Sequence, residues 1–156
     1  MRLATILDDG RSSVALVREG RCLPVAGTVA ASMRAVAGGG QAALDRILDW
    51  ADGRLAADWR PLADVTFGPA VPDPGAIYTV GLNYRAPDEP PGSGPDRPLV
   101  YGKAASSVAG HGGILEWDRS LTASVDAECE LGVVIGRTAS AVSADEVMEH
   151  VFGFTI

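Results

Sequence analysis

Proline and glycine occupy five of the eight positions in the segment GPAVPDPG, residues 68–75. Proline fixes its own φ angle and has no backbone N–H to donate, so this segment cannot continue a strand or a helix. It therefore divides the chain into two parts, and we place the boundary near residue 73. We expect one domain over residues 1–73 and a second over residues 74–156.

Short apolar runs separated by turn signals fill the first part of the chain. The sequence Asp8-Asp9-Gly10 separates RLATIL from SSVALVREG, and RCLPV follows. Asp-Gly between two such runs is a strong hairpin signal, so we expect an antiparallel meander. The segment QAALDRILDWADG then predicts a helix, because its apolar residues recur at steps of three and four and Gly53 ends it. The triple glycine at 38–40 separates this helix from a weaker one around TVAASMRAVA.

The second part of the chain also favours strands. They are expected around AIYTVGLNY, PLVYGK, GILEW, VDAECELGVVIG and VFGFTI. Ser143 and Glu146 have capping-box spacing, which predicts a helix that begins just after Ser143. The loop RAPDEPPGSGPDRP is too rich in proline and glycine for regular structure, and we interpret it as a surface lid. The predicted fold class is mixed and mainly β (α+β).

Composition excludes several classes of partner. The formal net charge is −7 and the arginines do not cluster, so we expect no nucleic-acid binding. No apolar run approaches the roughly 18 residues that span a bilayer, and the amino terminus is unlike a signal peptide. We therefore expect no membrane association and a cytoplasmic location. Cys22 and Cys129 have no metal-ligand spacing, so both are expected to be reduced, buried thiols.

The stretch VDAECELGVVIG contains two acidic residues, Glu128 and Glu130, in an apolar strand pattern. Alternation places them on one face, about 7 Å apart at Cα, with Cys129 and the apolar residues after it on the opposite, core face. Two neighbouring carboxylates can share a hard divalent cation such as Mg²⁺, Mn²⁺ or Ca²⁺. The alternative is that both glutamates belong to the solvated face of an antiparallel sheet.

The stretches DPGAIYTVGLNYR, RPLVYGKAASSVAG and VDAECELGVVIG, followed by GFTI at residues 153–156, occur in an order that resembles the fumarylacetoacetate hydrolase family. The resemblance extends from about Asp73 to Ile156. It implies that the second domain is the first portion of a mixed β-roll, that Glu128 and Glu130 are metal ligands, and that the ion is Mg²⁺ or Mn²⁺. In the family a third ligand, an Asp, follows the last of these motifs, where this sequence has ended. The resemblance also implies a homodimer, or a complementing carboxy-terminal half.

Other site residues follow from the same resemblance. Lys103, the only lysine in the chain, matches a lysine of the family motif and would pair with a substrate carboxylate. Asn83 and Tyr84 would line the substrate pocket. Family hydrolases activate water with a His and a Glu, but here those positions hold Pro87 and Pro90, which cannot exchange a proton. His111, in the AGHGG loop, is the remaining candidate for a catalytic base.

These observations predict a metal-dependent enzyme that acts on a 2-oxo or 1,3-dicarbonyl acid. The reaction would be C–C hydrolysis, decarboxylation, hydration or tautomerisation through a metal-stabilised enolate. Because the water-activating pair is absent, enolate chemistry is favoured over hydrolysis. The alternatives are a non-catalytic member that binds a small ligand or a partner, and an amino-terminal fragment that needs its other half.

Overall fold

The computed structural model describes residues 1–84, 87–90, 92–93 and 96–156. The chain forms two compact units. The larger unit contains Met1–Pro72 with Ala109–Ile156, and the smaller unit is Asp73–Val108. Both are built mainly from antiparallel strands, and one α-helical segment is present among the described residues, which confirms a mixed, mainly β fold. The division into domains 1–73 and 74–156 stays a prediction.

The amino-terminal strands form the predicted meander. They are β1 (Arg2–Asp8), β2 (Arg11–Arg18) and β3 (Arg21–Pro24). Strand β1 pairs with β2 so that only Asp9 and Gly10 form the first loop, with φ angles of 48° and 75°. Two left-handed residues make a type I′ turn, whose twist matches that of the strands. Short strands β4 (Arg60–Pro61) and β5 (Thr66–Phe67) complete the sheet in the order β4-β3-β2-β1-β5.

One helical segment, α1 (Met33–Asp52), covers this sheet. The hydroxyl of Ser32 caps its start by accepting a hydrogen bond from the backbone N–H of Ala35 at 3.1 Å. Gly40 interrupts the helix with φ 53° and ψ −141°, a conformation that only glycine adopts readily. The two predicted helices therefore exist as two parts of one kinked segment. Their buried face, which includes Ile47, packs against apolar side chains of β2 and β3.

Two separate hairpins follow. In the smaller unit β6 (Ile77–Gly81) pairs with β7 (Leu99–Lys103). In the larger unit β8 (Gly132–Ile135) pairs with β9 (Val151–Thr155). Phe152 of β9 packs against the same apolar cluster as α1, so this hairpin is joined to the amino-terminal module.

Two predicted elements are wrong. Residues 113–117, expected to be a strand, have no regular structure. The helix expected after Ser143 is only a 3₁₀ turn, Val147–His150. The hydroxyl of Ser143 donates to the Glu146 carboxylate at 2.6 Å, and its side chain makes no cap to the backbone N–H groups of a helix. The local spacing was present, but the Ser143–Glu146 contact joins the two side chains to each other and does not cap a helix.

The two cysteines differ. Cys22 is buried in the sheet, as expected, and burial raises the pKa of its thiol. Cys129 is exposed, so the expectation of a buried thiol is wrong there. It lies in residues 124–131, which have no regular structure. Across the described ranges, no helix combines the length and apolar character required to cross a membrane.

Candidate functional site

The two acidic residues lie in an irregular segment that precedes β8. The predicted strand begins only at Gly132, and residues 124–131 have no regular structure. Glu128 and Glu130 are both exposed. The strand geometry that would place their Cα atoms roughly 7 Å apart on one face is therefore absent here, and their common face stays a prediction.

The opposite face of this segment is not a core face. Leu131, Val133 and Ile135 are 67%, 50% and 52% exposed, so the prediction that they are buried is wrong. The other side of β8, with Val134, lines a cavity of the larger unit. Alternation correctly divided the strand into two faces, but it could not tell which face another layer covers.

The electrostatic environment of the two glutamates leaves their oxygens available. Within the described ranges, the single recorded ion pair joins Arg60 to Asp8 at 2.9 Å, and no basic side chain neutralises Glu128 or Glu130. Two unpaired carboxylates are the ligand chemistry that Mg²⁺ uses, because this ion commonly binds one or two carboxylates and keeps several waters. The donor set therefore fits such an ion. No group of three His, Cys, Asp or Glu residues that could hold a metal occurs in the described part of the chain.

The smaller unit carries three of the predicted substrate-binding residues. Asn83 and Tyr84 follow the end of β6, and Tyr84 is 87% exposed. Lys103 ends β7 and lies opposite Ile77, at the other end of the hairpin. Four residue steps along the strand separate these ends by roughly 13 Å. The structure thus keeps Asn83 and Tyr84 together and places Lys103 apart from them.

Leu82 is a feature that the sequence did not reveal. Its φ angle is 52°, although its side chain is neither glycine nor asparagine, and it immediately precedes Asn83 and Tyr84. A left-handed conformation at such a residue costs about 1–2 kcal/mol. Strained residues of this kind concentrate at ligand sites, which makes Leu82 an additional candidate for positioning Asn83. No sequence signal could have found it, because leucine is not a residue that favours this conformation.

His111 lies in a tight turn of the larger unit. The backbone N–H of Gly113 donates to the carbonyl of Gly110 at 3.0 Å, and the imidazole meets the ring of Phe67 edge-on, with centroids 6.3 Å apart. Gly110 lies close to β5, because a Cβ at this position would be 2.8 Å from the carbonyl oxygen of Phe67. The turn therefore holds His111 beside the amino-terminal sheet. It does not join Glu128 and Glu130 in a three-residue metal group.

The predicted lid can be described only in part. Residues 85, 86, 91, 94 and 95 lie outside the described residues. Pro87 and Pro90 are described, and the carbonyl of Pro90 accepts hydrogen bonds from the backbone N–H and the hydroxyl of Ser93, at 3.2 and 2.8 Å. Neither proline side chain can donate or accept a proton.

Comparison with known proteins gives a consistent result for the second half of the chain. The sequence model of the fumarylacetoacetate (FAA) hydrolase C-terminal domain matches residues 76–156. Oxaloacetate tautomerase YisK of Bacillus subtilis (strain 168) is 33% identical over 118 residues, which cover 71% of this chain and 39% of that protein. An uncharacterized protein of Staphylococcus aureus (strain USA300) is 30% identical over 93 residues, 60% of this chain and 31% of the relative. The chain therefore spans less than half the length of these relatives.

Proposed function

Because this chain belongs to the fumarylacetoacetate hydrolase family, we propose that it carries part of an enzyme site for a 2-oxo or 1,3-dicarbonyl acid, with keto–enol tautomerisation as the reaction. The observation that carries the proposal is the pair of exposed carboxylates, Glu128 and Glu130, that no basic side chain neutralises in the described part of the chain. The similarity to a protein named oxaloacetate tautomerase supports the choice of substrate class. The cytoplasm is the proposed location.

Glu128 and Glu130 are the proposed protein ligands of Mg²⁺ or Mn²⁺. Ca²⁺ is the alternative ion, because it also prefers oxygen ligands. When bound, the ion supplies Lewis-acid stabilisation of negative charge on the substrate oxygen. Two carboxylates leave coordination positions for water, for substrate, and for a group outside the described residues. The protein contributes the negative charge that concentrates the cation at this segment.

The other site residues have roles in binding and proton transfer. Lys103 would pair with a substrate carboxylate, and its exposed ammonium is free to do so, as no ion pair with it is recorded in the described ranges. Asn83 and Tyr84 would donate hydrogen bonds to substrate oxygens. His111 is the proposed base that takes the proton from the carbon next to the oxo group. That proton is returned to the oxo oxygen, so the keto and enol forms contain the same atoms.

The two prolines distinguish this reaction from hydrolysis. Hydrolysis requires a group that removes a proton from water, and neither Pro87 nor Pro90 can do so. Tautomerisation consumes no water and moves only one proton. Loss of the water-activating pair therefore impairs hydrolysis more than enolate chemistry, and we expect the tautomerase reaction to be the faster one.

Assembly belongs to the same proposal. The hairpin β8–β9 exposes Val133, Ile135 and Phe154 on one face, and apolar side chains on a two-stranded sheet favour contact with another layer. We propose that a homodimer, or a complementing carboxy-terminal half, covers this face. The relatives, which are more than twice as long as the matched region, are consistent with this arrangement.

A second candidate is a non-catalytic member of the family that binds a small ligand or a partner. It is favoured by the same two prolines, which cannot activate water. The two candidates differ in turnover, since both permit metal and ligand binding.

The experiment combines metal binding with activity. Mn²⁺ titration of the chain is expected to show one site, and Glu128→Gln with Glu130→Gln should weaken it at least about tenfold, because each carboxylate supplies a charged ligand. Glu116→Gln, at another exposed glutamate of the larger unit, is the matched control and should leave the affinity unchanged. The enol absorbance of oxaloacetate is then followed with Mg²⁺ present. Equal Mn²⁺ affinity in all variants would refute the metal site, and metal binding without turnover would favour the non-catalytic candidate.

A further inference from the structure

A cavity of about 370 Å³ opens in the larger unit, and none of the proposed metal-binding, substrate-binding or proton-transfer residues lines it. Its volume is within the range of roughly 300–1,000 Å³ that is usual for small-molecule sites. Its walls come from the sheet, the helix and the β8–β9 hairpin. The main apolar wall residues are Leu3, Val17, Met33, Leu44, Val71 and Phe152.

The rim of this cavity carries positive charge. Arg2 lines the cavity and is exposed, which places it where the cavity opens to solvent. It lies opposite Val17 in the β1–β2 register, so the two side chains share a face of the sheet. Arg2 is the one lining residue with an ionisable side chain. Among the described residues no acidic side chain pairs with Arg2.

We propose that this cavity binds a small acid with an apolar body, such as a medium-chain monocarboxylate. The hydrocarbon would lie among Met33, Leu44 and Phe152, where removal of apolar surface from water favours binding. The carboxylate would receive charge-assisted hydrogen bonds from the guanidinium of Arg2. Apolar walls alone would bind any apolar group. The positive charge of Arg2 therefore gives the cavity its preference for an acid over a neutral molecule.

A small anion brings a single charge to a rim where the one ionisable lining side chain is a cation. The site is independent of the proposed tautomerase function, because none of Asn83, Lys103 or Glu128 lines it.

The test is calorimetric or NMR titration of the 156-residue chain with octanoate and with 1-octanol. We expect one saturable octanoate site, weaker binding of octanol, and a loss of about fivefold in octanoate affinity in Arg2→Gln, the effect of an exposed ion pair. Octanol binding should be unchanged by this substitution. Arg11→Gln is the matched control, because Arg11 is exposed at the far end of the same β1–β2 ribbon and does not line the cavity.

A second pair of variants tests whether the hydrocarbon of the ligand occupies the cavity. Ala70 is exposed and lines the cavity, so Ala70→Phe places a ring in it without altering the core, and octanoate binding should be lost. Ala57→Phe, at an exposed alanine outside the cavity, should bind octanoate normally. No saturable binding, equal affinity for octanoate and octanol, or no effect of Arg2→Gln would each overturn the proposal. A dimer that Ala70→Phe dissociates would overturn it in favour of a second copy as the occupant.

Discussion

The backbone of Gly136 lies so close to helix α1 that a Cβ at this position would be 2.7 Å from the carbonyl oxygen of Ala37. The same Cβ would be 2.9 Å from Cβ of Phe152. This contact joins the end of β8 to the amino-terminal module, only six residues after Glu130. The packing of the module therefore determines where the strand that follows the two glutamates lies.

Gly136→Ala should lower the free energy of unfolding by about 1–3 kcal/mol, because a rigid backbone carbonyl must move to admit the methyl group. Urea unfolding measures this change. Gly153→Ala is the matched control in the paired strand, where nothing lies within 4 Å of the added Cβ, and it should be tolerated. Equal stability of the two variants would show that the contact at Gly136 can relax.

Gly40→Ala should destabilise the chain by about 1–3 kcal/mol, since Gly40 has φ 53° and any L side chain is strained there. Gly38→Ala should instead stabilise it by about 0.5–1 kcal/mol, because Gly38 is within α1 and its added Cβ meets open space. Thermal unfolding of the two variants should therefore shift in opposite directions. Shifts of the same sign would contradict the kink at Gly40.

The Cys22 thiol should make the free energy of unfolding depend on pH in the alkaline range. Burial raises its pKa, while nearby Arg60 lowers it and Asp8 raises it. The neutral thiol is therefore favoured by folding, so the stability associated with Cys22 is complete below the ordinary thiol pKa of about 8.5 and is lost as pH rises above it. Urea unfolding between neutral and alkaline pH should show this decrease. In Cys22→Ala the decrease should be smaller, whereas in Cys129→Ala, which removes an exposed thiol, it should persist.

The contact between Ser143 and Glu146 should make the stability of the fold depend on pH in the acidic range. The hydrogen bond from the Ser143 hydroxyl is the main cause that lowers the pKa of the Glu146 carboxyl, and His150 contributes in the same direction. Its stabilising effect is present above the ordinary pKa of glutamate and is lost as pH falls through the lowered value. Ser143→Ala should raise the pKa of Glu146, as followed by NMR titration of the side chain. An unchanged titration would show that the hydrogen bond is not populated in solution.

Local signals predicted the parts of the fold that depend on short stretches of chain. Asp9 and Gly10 form the hairpin turn because a type I′ turn needs two adjacent residues that tolerate positive φ angles, and Asp and Gly both do. The triple glycine marks the kink of α1 for the same reason. The metal-binding role of Glu128 and Glu130 stays a prediction, because the strand that would place both carboxylates on one face begins only at Gly132.

Burial could not be predicted in the same way. Alternation assigns Val133 and Ile135 to one face of β8, but they are exposed, while Val134 faces the amino-terminal module. Cys129 and the expected strand at 113–117 were misjudged for the same reason, since an apolar pattern does not tell which layer will cover it. The left-handed angle of Leu82 gave no sequence signal at all.

The amino-acid sequence by itself determined the hairpin turn at Asp9 and Gly10 and the helix interruption at the triple glycine, because each depends on the backbone preferences of residues a few positions apart. Only the tertiary structure decided that Gly136 contacts Ala37, that a cavity with Arg2 at its rim opens beside β9, and that Lys103 lies at the opposite end of its hairpin from Asn83. These relationships join residues that are distant in the chain. Their geometry is set by the packing of whole elements, where close contact of side chains decides which arrangement has the lowest free energy.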